Sequence, residues 1–476
     1  MTLESRIGVY LFSTLLFISA GMAAYLSQPY ILFIPLAILL AVCLVQWPGY
    51  LFYLLIASIP WSFEYTTVNG PGTDLPDEPL MLLVALTTIM LFVDKRKSNL
   101  LSHPLTALLL LEFSWIIITM IASTDVILSL KFLLAKTWYL LAFFVAPLYL
   151  FRNLKTLKIS VIILLISMSA AVVVSLIRHA IHGFTFAEVN DALVPFFRNH
   201  VNYGALLVLM VPVVLALIKL QKGKKYLLYI WLLVLLFATY VSYSRGAWLA
   251  LIIGLMTYWL LKKKKVVVLF VIFVVLSFAF VVGIKTNDRY LAYASDYRTT
   301  IFHTNFNEHL IATYRLKDVS TAERFYRWIA GVRMVKDRWQ TGYGPSTFNE
   351  NYKSYTVPLF KTWVSDNKER STVHNYFLLI LIEQGVFGLS LFLVLLGLAF
   401  HYAENIYARA KSPFWKELVA AVAVILAMIC TVNFLSDLIE TDKIGGIFYL
   451  CLALLVIADR NANMGSDSAP DIQGIS

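Results

Sequence analysis

Residues 374–400 read HNYFLLILIEQGVFGLSLFLVLLGLAF, an apolar run holding one acid, Glu383, and no lysine or arginine. A helix rises about 1.5 Å per residue, so roughly 20 such residues cross the ~30 Å hydrocarbon core of a bilayer. Ahead of this run lies a polar segment from about 285 to 373, which contains Thr321-Ala322-Glu323-Arg324-Phe325-Tyr326-Arg327-Trp328 and Gly342-Tyr343-Gly344-Pro345-Ser346-Thr347-Phe348. Arginines and a histidine are thereby concentrated where a greasy helix meets water, and chemistry is expected there.

Outward from this stretch the chain keeps the same character. Hydrophobic residues make up 60% of the 476 and charged residues 14%, with a mean hydropathy of +0.76, whereas a soluble domain carries about 25% charged residues. The fold class implied is an all-α polytopic membrane protein. Apolar runs place spans near 7–26, 30–47, 49–61, 79–93, 104–122, 129–150, 159–180, 201–218, 226–243, 246–261, 266–284, 374–400, 418–434 and 444–458. The expected count is about 14 transmembrane helices (12–14), the short runs at 49–61 and 79–93 being the weakest.

Basic residues mark loops left in the cytoplasm. Lys95-Arg96-Lys97, the group Arg152, Lys155 and Lys158, the group Lys219, Lys222, Lys224 and Lys225, the run Lys262 to Lys265, and the pair Arg409 and Lys411 all fall on one side if both termini are inside. The opposite, periplasmic side then holds residues 62–78 with Glu64, Asp74, Asp77 and Glu78, a short loop near 182–200, and the long segment. The expected organisation is a transmembrane bundle over 1–284 of about eleven helices, a periplasmic loop domain over 285–373, C-terminal transmembrane helices over 374–458, and a disordered cytoplasmic tail over 459–476.

The net charge of +11 follows from the positive-inside rule and contact with anionic membrane lipid. No basic stripe with interleaved aromatics sits in a soluble module, so nucleic acid is not an expected partner. Cys43, Cys430 and Cys451 lie in apolar runs, as small apolar residues do, without disulfide or zinc spacing. The acidic run Asp74-Leu75-Pro76-Asp77-Glu78 lacks a defined ligand spacing, so no metal is expected. The first apolar run has no Ala-x-Ala cleavage site and is expected to be a retained helix.

Within the long loop, Ser320-Thr321-Ala322-Glu323 has the capping-box pattern, which predicts a helix over about 321–339 ending near Gly342. Trp328, Val332, Val335 and Trp339 share one face, and Arg324, Arg327 and Arg338 fall largely on another. With tryptophan favouring the headgroup zone, this helix is expected along the membrane surface. Arg245 follows the polar break Ser242-Tyr243-Ser244, and Arg198 precedes Asn199-His200 at the mouth of another span. Guanidinium groups bind phosphate oxygens in bidentate fashion and keep their charge, so several converging would hold a pyrophosphate. Singly, each is equally explained by snorkelling to lipid headgroups.

His374 sits at the first turn of its span, where an imidazole of ordinary pKa ~6.5 takes a proton from a hydroxyl near neutral pH. The ordinary alternative for a lone histidine at a helix end is structural. Glu383, roughly 13 Å further along the helix, is expected to be a buried structural partner, and mutual pairing is expected for Glu112, Lys131, Lys136 and Arg178.

These pieces together resemble the O-antigen ligase and O-antigen polymerase superfamily: Ser244-Arg245-Gly246 at a span boundary, Glu323-Arg324 with Trp328, Gly342-Tyr343-Gly344 with Thr347-Phe348, and His374-Asn375 followed by Glu383, Gly385 and Gly388. The resemblance implies a type C glycosyltransferase-like membrane enzyme of bacterial surface-polysaccharide biosynthesis, in the inner membrane, with amphipathic helices in a long periplasmic loop. It implies an undecaprenyl diphosphate-linked oligosaccharide as donor, a glycan or lipid A-core acceptor, and no cofactor. Possible further partners are polysaccharide-assembly proteins.

By the same resemblance, His374 is the catalytic base, Arg245 and Arg324 act on the diphosphate, and Arg327 and Arg198 assist in binding it, Arg198 with the loosest match. The expected chemistry is metal-independent and inverting. Ligase and polymerase stay open, with the span count leaning to polymerase. Alternatives are a protein O-oligosaccharyltransferase of the same superfamily, a lipid-linked glycan flippase or transporter, and a scaffold in which His374 is dispensable.

Overall fold

A computed structural model of the protein describes residues 46–65, 72–94, 102–285, 319–357 and 371–462, with scattered positions between 14 and 35. The elements are α1 (Pro48–Ser58), a short antiparallel hairpin of β1 (Phe63–Tyr65) and β2 (Thr73–Leu75), α2 (Asp77–Asp94), α3 (Pro104–Ile121), α4 (Val126–Leu140), α5 (Ala146–Leu150) and α6 (Leu154–Ile181). After them come α7 (Val189–Leu193), α8 (His200–Leu220), α9 (Tyr226–Val241), α10 (Arg245–Lys262), α11 (Val266–Lys285), α12 (Val319–Asp337), α13 (Phe348–Asn351), α14 (Tyr376–Arg409), α15 (Pro413–Phe434) and α16 (Asp442–Asn461).

The protein is an all-α membrane protein. Among the described residues, six helices are long and apolar enough to cross a bilayer: α3, α4 continued through α5, α6, α8, α14 and α15. Shorter apolar helices lie at Pro48–Trp61, Tyr226–Val241 and Val266–Ala279. The count of about fourteen is thus not reproduced as such, since a bilayer needs roughly 20 residues and several helices fall short. The expected spans near 7–26 and 30–47, and most of the tail, lie outside the described residues.

Large apolar side chains point outward along these helices, with Ile127, Ile181, Leu255 and Phe278 all exposed. That is a lipid-facing surface, since a water-facing one rarely carries so continuous an apolar patch. α15 is the buried axis. It packs against α8, α10, α14 and α16, and Gly254 of α10 lets the two backbones close, because a Cβ there would lie 2.2 Å from Met428 Cε.

The polar ends sort into two faces. At one, Lys219 pairs with Glu417 at 2.8 Å, Arg409 pairs with Asp459, and Lys411 N–H donates to Ala462 O. At the other, Thr124 N–H donates to Tyr343 O at 2.8 Å, Arg198 pairs with Glu64 at 2.9 Å, and Lys443 donates to Ile59 O and Ser62 O.

The loop helix has a protein partner: α12 packs on α14 with Tyr326, Ala330 and Met334 buried, and it ends at Asp337, two residues short of the expected 339, so Trp339 lies beyond it. Glu323 and Arg327 accompany it inward, 3.6 Å apart. Of the charges within the spans, Lys136 interacts electrostatically with Glu112, but its close ion pair lies elsewhere. Lys136 pairs with Glu440 at 3.1 Å, and Arg178 donates to the carbonyls of Asp191 and Val194. The side chains of the proposed capping box at Ser320 and Thr321, and residues 286–318 and 358–370 of the long segment, lie outside the described residues.

Candidate active site

The site is built on a broken helix. Within α14, Gly385 adopts φ 70° and ψ −172°, a region open essentially to glycine alone. The break frees three carbonyls and an N–H inside an apolar bundle, where each unsatisfied group is costly. All four find partners: Tyr343 N–H donates to Ile382 O at 3.0 Å, Gly344 N–H to Glu383 O at 2.9 Å, Trp115 Nε1–H to Gln384 O at 2.9 Å, and Val386 N–H to Trp339 O at 2.8 Å. The Gly342-Tyr343-Gly344 motif is therefore a strap stitched into the helix. A Cβ on Gly342 would lie 2.4 Å from Glu383 C, and one on Gly385 2.0 Å from Gln340 O.

Glu383 completes the strap. Its carboxylate accepts from Ser346 N–H at 2.8 Å and Phe348 N–H at 3.1 Å, holding the turn that opens α13. Glu383 thus anchors the loop from within the membrane helix.

Just before α14, residues 371–375 are clamped between α12 and the connection Leu435–Thr441 that joins α15 to α16. Arg327 Nη1 donates to Thr372 O at 3.1 Å and Trp328 Nε1 to Val373 O at 3.0 Å. Thr372 Oγ1 donates to Asp437 Oδ2 at 2.6 Å, and Tyr376 N–H to Ser436 O at 3.0 Å. Asn375 caps α14 by accepting from Leu378 N–H. His374 is therefore not in the first turn. It precedes the helix with φ 53°, a left-handed conformation that costs a non-glycine residue on the order of 1 kcal/mol or more and persists only when neighbours fix it.

The His374 imidazole is partly buried, with Nδ1 3.8 Å from Asp437 Oδ1. Burial, reinforced by the positive fields of Arg324 and Arg327, pushes its pKa down to about 3, so the ring is neutral at pH 7. Burial pushes the Asp437 carboxyl up from its ordinary range, against the hydrogen bond from Thr372.

The structure brings His374, Arg324 and Arg327 together. Arg198 pairs with Glu64 while acting electrostatically on Asp437. Arg245 opens α10, whose next residue, Gly246, abuts Leu435, and it follows Tyr243, another left-handed residue at φ 56°.

Sequence reasoning missed Asp437, Glu440 and Thr372. The one available signal is the acidic run Asp437-Leu438-Ile439-Glu440-Thr441-Asp442 on the same side as the long loop. Beneath Thr372 and Asp437 lies a cavity of about 240 Å³ that reaches Glu383, Lys136 and Glu440. Among the described residues, no group of three or more His, Cys, Asp or Glu is arranged to hold a metal ion.

Residues 228–393 match the family model described as O-antigen ligase. The matched stretch contains Arg245, Arg324, Arg327 and His374 and leaves Arg198 and Asp437 outside. No curated protein matches the chain. The family match supports the O-antigen ligase and polymerase superfamily, and with it a membrane glycosyltransferase-like role in surface-polysaccharide biosynthesis.

Proposed function

We propose that this membrane protein transfers a glycan from undecaprenyl diphosphate to an acceptor hydroxyl, as a polymerase or ligase of surface polysaccharide in the bacterial inner membrane, with the site facing the periplasm. The observation that carries the reading is the convergence of a neutral, conformationally fixed His374 with Arg324 and Arg327, inside the segment that matches the family.

The proposed step is a displacement. The imidazole of His374 takes the proton of the acceptor hydroxyl, the freed oxygen attacks the anomeric carbon, and the carbon–oxygen bond to the diphosphate breaks with its electron pair leaving on phosphate. Guanidinium groups of Arg324 and Arg327, joined at the rim by Arg245 and Arg198, stabilise the charge that develops there, without a metal ion. Attack opposite the leaving group inverts the anomeric configuration, which NMR of the new linkage tests. Asp437, 3.8 Å from Nδ1, faces that side of the imidazole and leaves Nε2 for the hydroxyl.

Bound diphosphate also activates the base. The two arginines that add to the effect of burial on the imidazole face the donor's negative charge, so His374 becomes more basic when the donor is in place.

The test is reconstitution of the purified protein in nanodiscs with lipid diphosphate-linked oligosaccharide and EDTA. Longer or transferred glycan, with release of lipid diphosphate, is expected, and the acceptor that is used separates ligase, polymerase and protein glycosylation. Movement of intact lipid-linked glycan across liposomes without any new glycosidic bond would replace this reading with a flippase.

A further inference from the structure

The cavity below Asp437 takes no part in the step above. We infer that it is a subsite for one neutral, hydroxyl-bearing sugar ring of the glycan, an inference that rests on the glycosyl-transfer reading and adds a specificity element to it.

Charge decides the class of ligand. The walls carry three carboxylates, Glu383, Asp437 and Glu440, against one ammonium, Lys136, which is bound to Glu440 at 3.1 Å. None of the four arginines Arg198, Arg245, Arg324 and Arg327 lines the cavity. Such a lining offers a phosphate no guanidinium, while its acid oxygens can bond the hydroxyls of a sugar. Tyr139 and Phe348 supply aromatic surface for the C–H faces of a ring.

Size and rigidity agree. At about 240 Å³ the cavity falls below the roughly 300–1,000 Å³ of pockets for drug-sized ligands. That size suits a single sugar ring. The acids are held in place before any ligand arrives, Glu383 by Ser346 and Phe348 N–H, and Glu440 by Lys136 and the Tyr376 hydroxyl. Such preorganisation is what a selective polar site requires.

Position links the cavity to the reaction. Thr372 and Asp437 face it, and Asp437 lies 3.8 Å from His374. His374 itself does not line the cavity, so a ring seated there is separated from the base by Asp437 and would place a neighbouring ring of the glycan toward it. The seated ring belongs either to the acceptor or to the donor, and the kinetics distinguish them.

The experiment uses the full chain in nanodiscs. Ala135→Leu fills the cavity from α4, and Asn349→Ala removes a lining amide without crowding. Transfer is measured with donor and acceptor varied separately, and saturation-transfer NMR reads binding of a panel of methyl hexopyranosides. Ala135→Leu is expected to raise one of the two KM values about tenfold, the equivalent of one or two lost hydrogen bonds, with kcat within about threefold. Asn349→Ala should move the same KM in the same direction by a smaller factor. The KM that moves names the sugar's source.

Both KM values and the glycoside signal unchanged in both variants would overturn the subsite while leaving glycosyl transfer intact. Conversely, a glycoside signal lost in Ala135→Leu from a protein that transfers nothing under any condition would keep the subsite and remove the transferase reading.

Discussion

Replacing Gly385 by alanine tests whether the strap and the broken helix are one unit. The new Cβ would sit 2.0 Å from Gln340 O, 2.4 Å from Gln340 C and 2.8 Å from Thr341 N. All three are backbone atoms, so no side chain can swing aside. The residue would also keep φ 70° and ψ −172°, at a cost of about 1–3 kcal/mol for a non-glycine residue. Moving the strap away endangers the three hydrogen bonds of Tyr343, Gly344 and Val386, each worth roughly 0.5–1.5 kcal/mol net. The expected destabilisation is on the order of 3–7 kcal/mol, against about 0.5–3 for most substitutions.

The control lies in the same helix. At Gly397 an added Cβ meets nothing closer than Phe270 Cε1 at 3.6 Å, and alanine is favoured over glycine in a helix interior by about 1 kcal/mol. Thermal unfolding followed by tryptophan fluorescence in one detergent should show Gly385→Ala melting well below the parent and Gly397→Ala at or above it. Equal midpoints for the two variants would refute the coupling of strap to helix.

Three further outcomes follow from the same geometry. Lys136→Met leaves Glu440 charged and unpaired in a largely buried site and should cost about 3–5 kcal/mol; Lys136→Met with Glu440→Gln should recover most of it in the same melting assay. With the His374 pKa down near 3, the acid limb of kcat/KM for the donor, which reports the free enzyme, should fall well below pH 6.5, whereas the limb of kcat should lie higher because bound diphosphate neutralises Arg324 and Arg327. Arg324→Gln should lower the rate and raise the kcat/KM limb, since one of the two fields that depress His374 is gone. In stability terms, a histidine whose folded pKa lies below its unfolded value favours folding above pH ~6.5 and loses that contribution as pH falls toward 3. His374→Gln should therefore flatten acid unfolding over that window, seen as midpoints that change less between pH 6.5 and 4.

Helix ends were legible wherever an apolar run stops at a charge or a turn residue. The runs 104–122, 201–218, 246–261 and 266–284 differ by only one or two residues at either end from Pro104–Ile121, His200–Leu220, Arg245–Lys262 and Val266–Lys285. The arginines and His374 were legible because charge in a greasy chain is rare enough to mark a site. The break at Gly385 was not, for it lies inside an uninterrupted apolar run and depends on a strap about forty residues away. Asp437 and Glu440 were not legible either, because single acids in a short connection carry no motif and acquire meaning only when Thr372, His374 and Lys136 are folded against them. The packing partner of the loop helix was not legible for a similar reason: amphipathic spacing reports an apolar face and does not name α14 as what covers it.

The most direct test of the account compares the parent with His374→Ala in nanodiscs, by mass spectrometry of the glycan formed from lipid diphosphate-linked oligosaccharide. The account predicts that new glycosidic product disappears in the variant while its melting midpoint and its binding of the donor persist. Product formed at the parental rate by His374→Ala would contradict it.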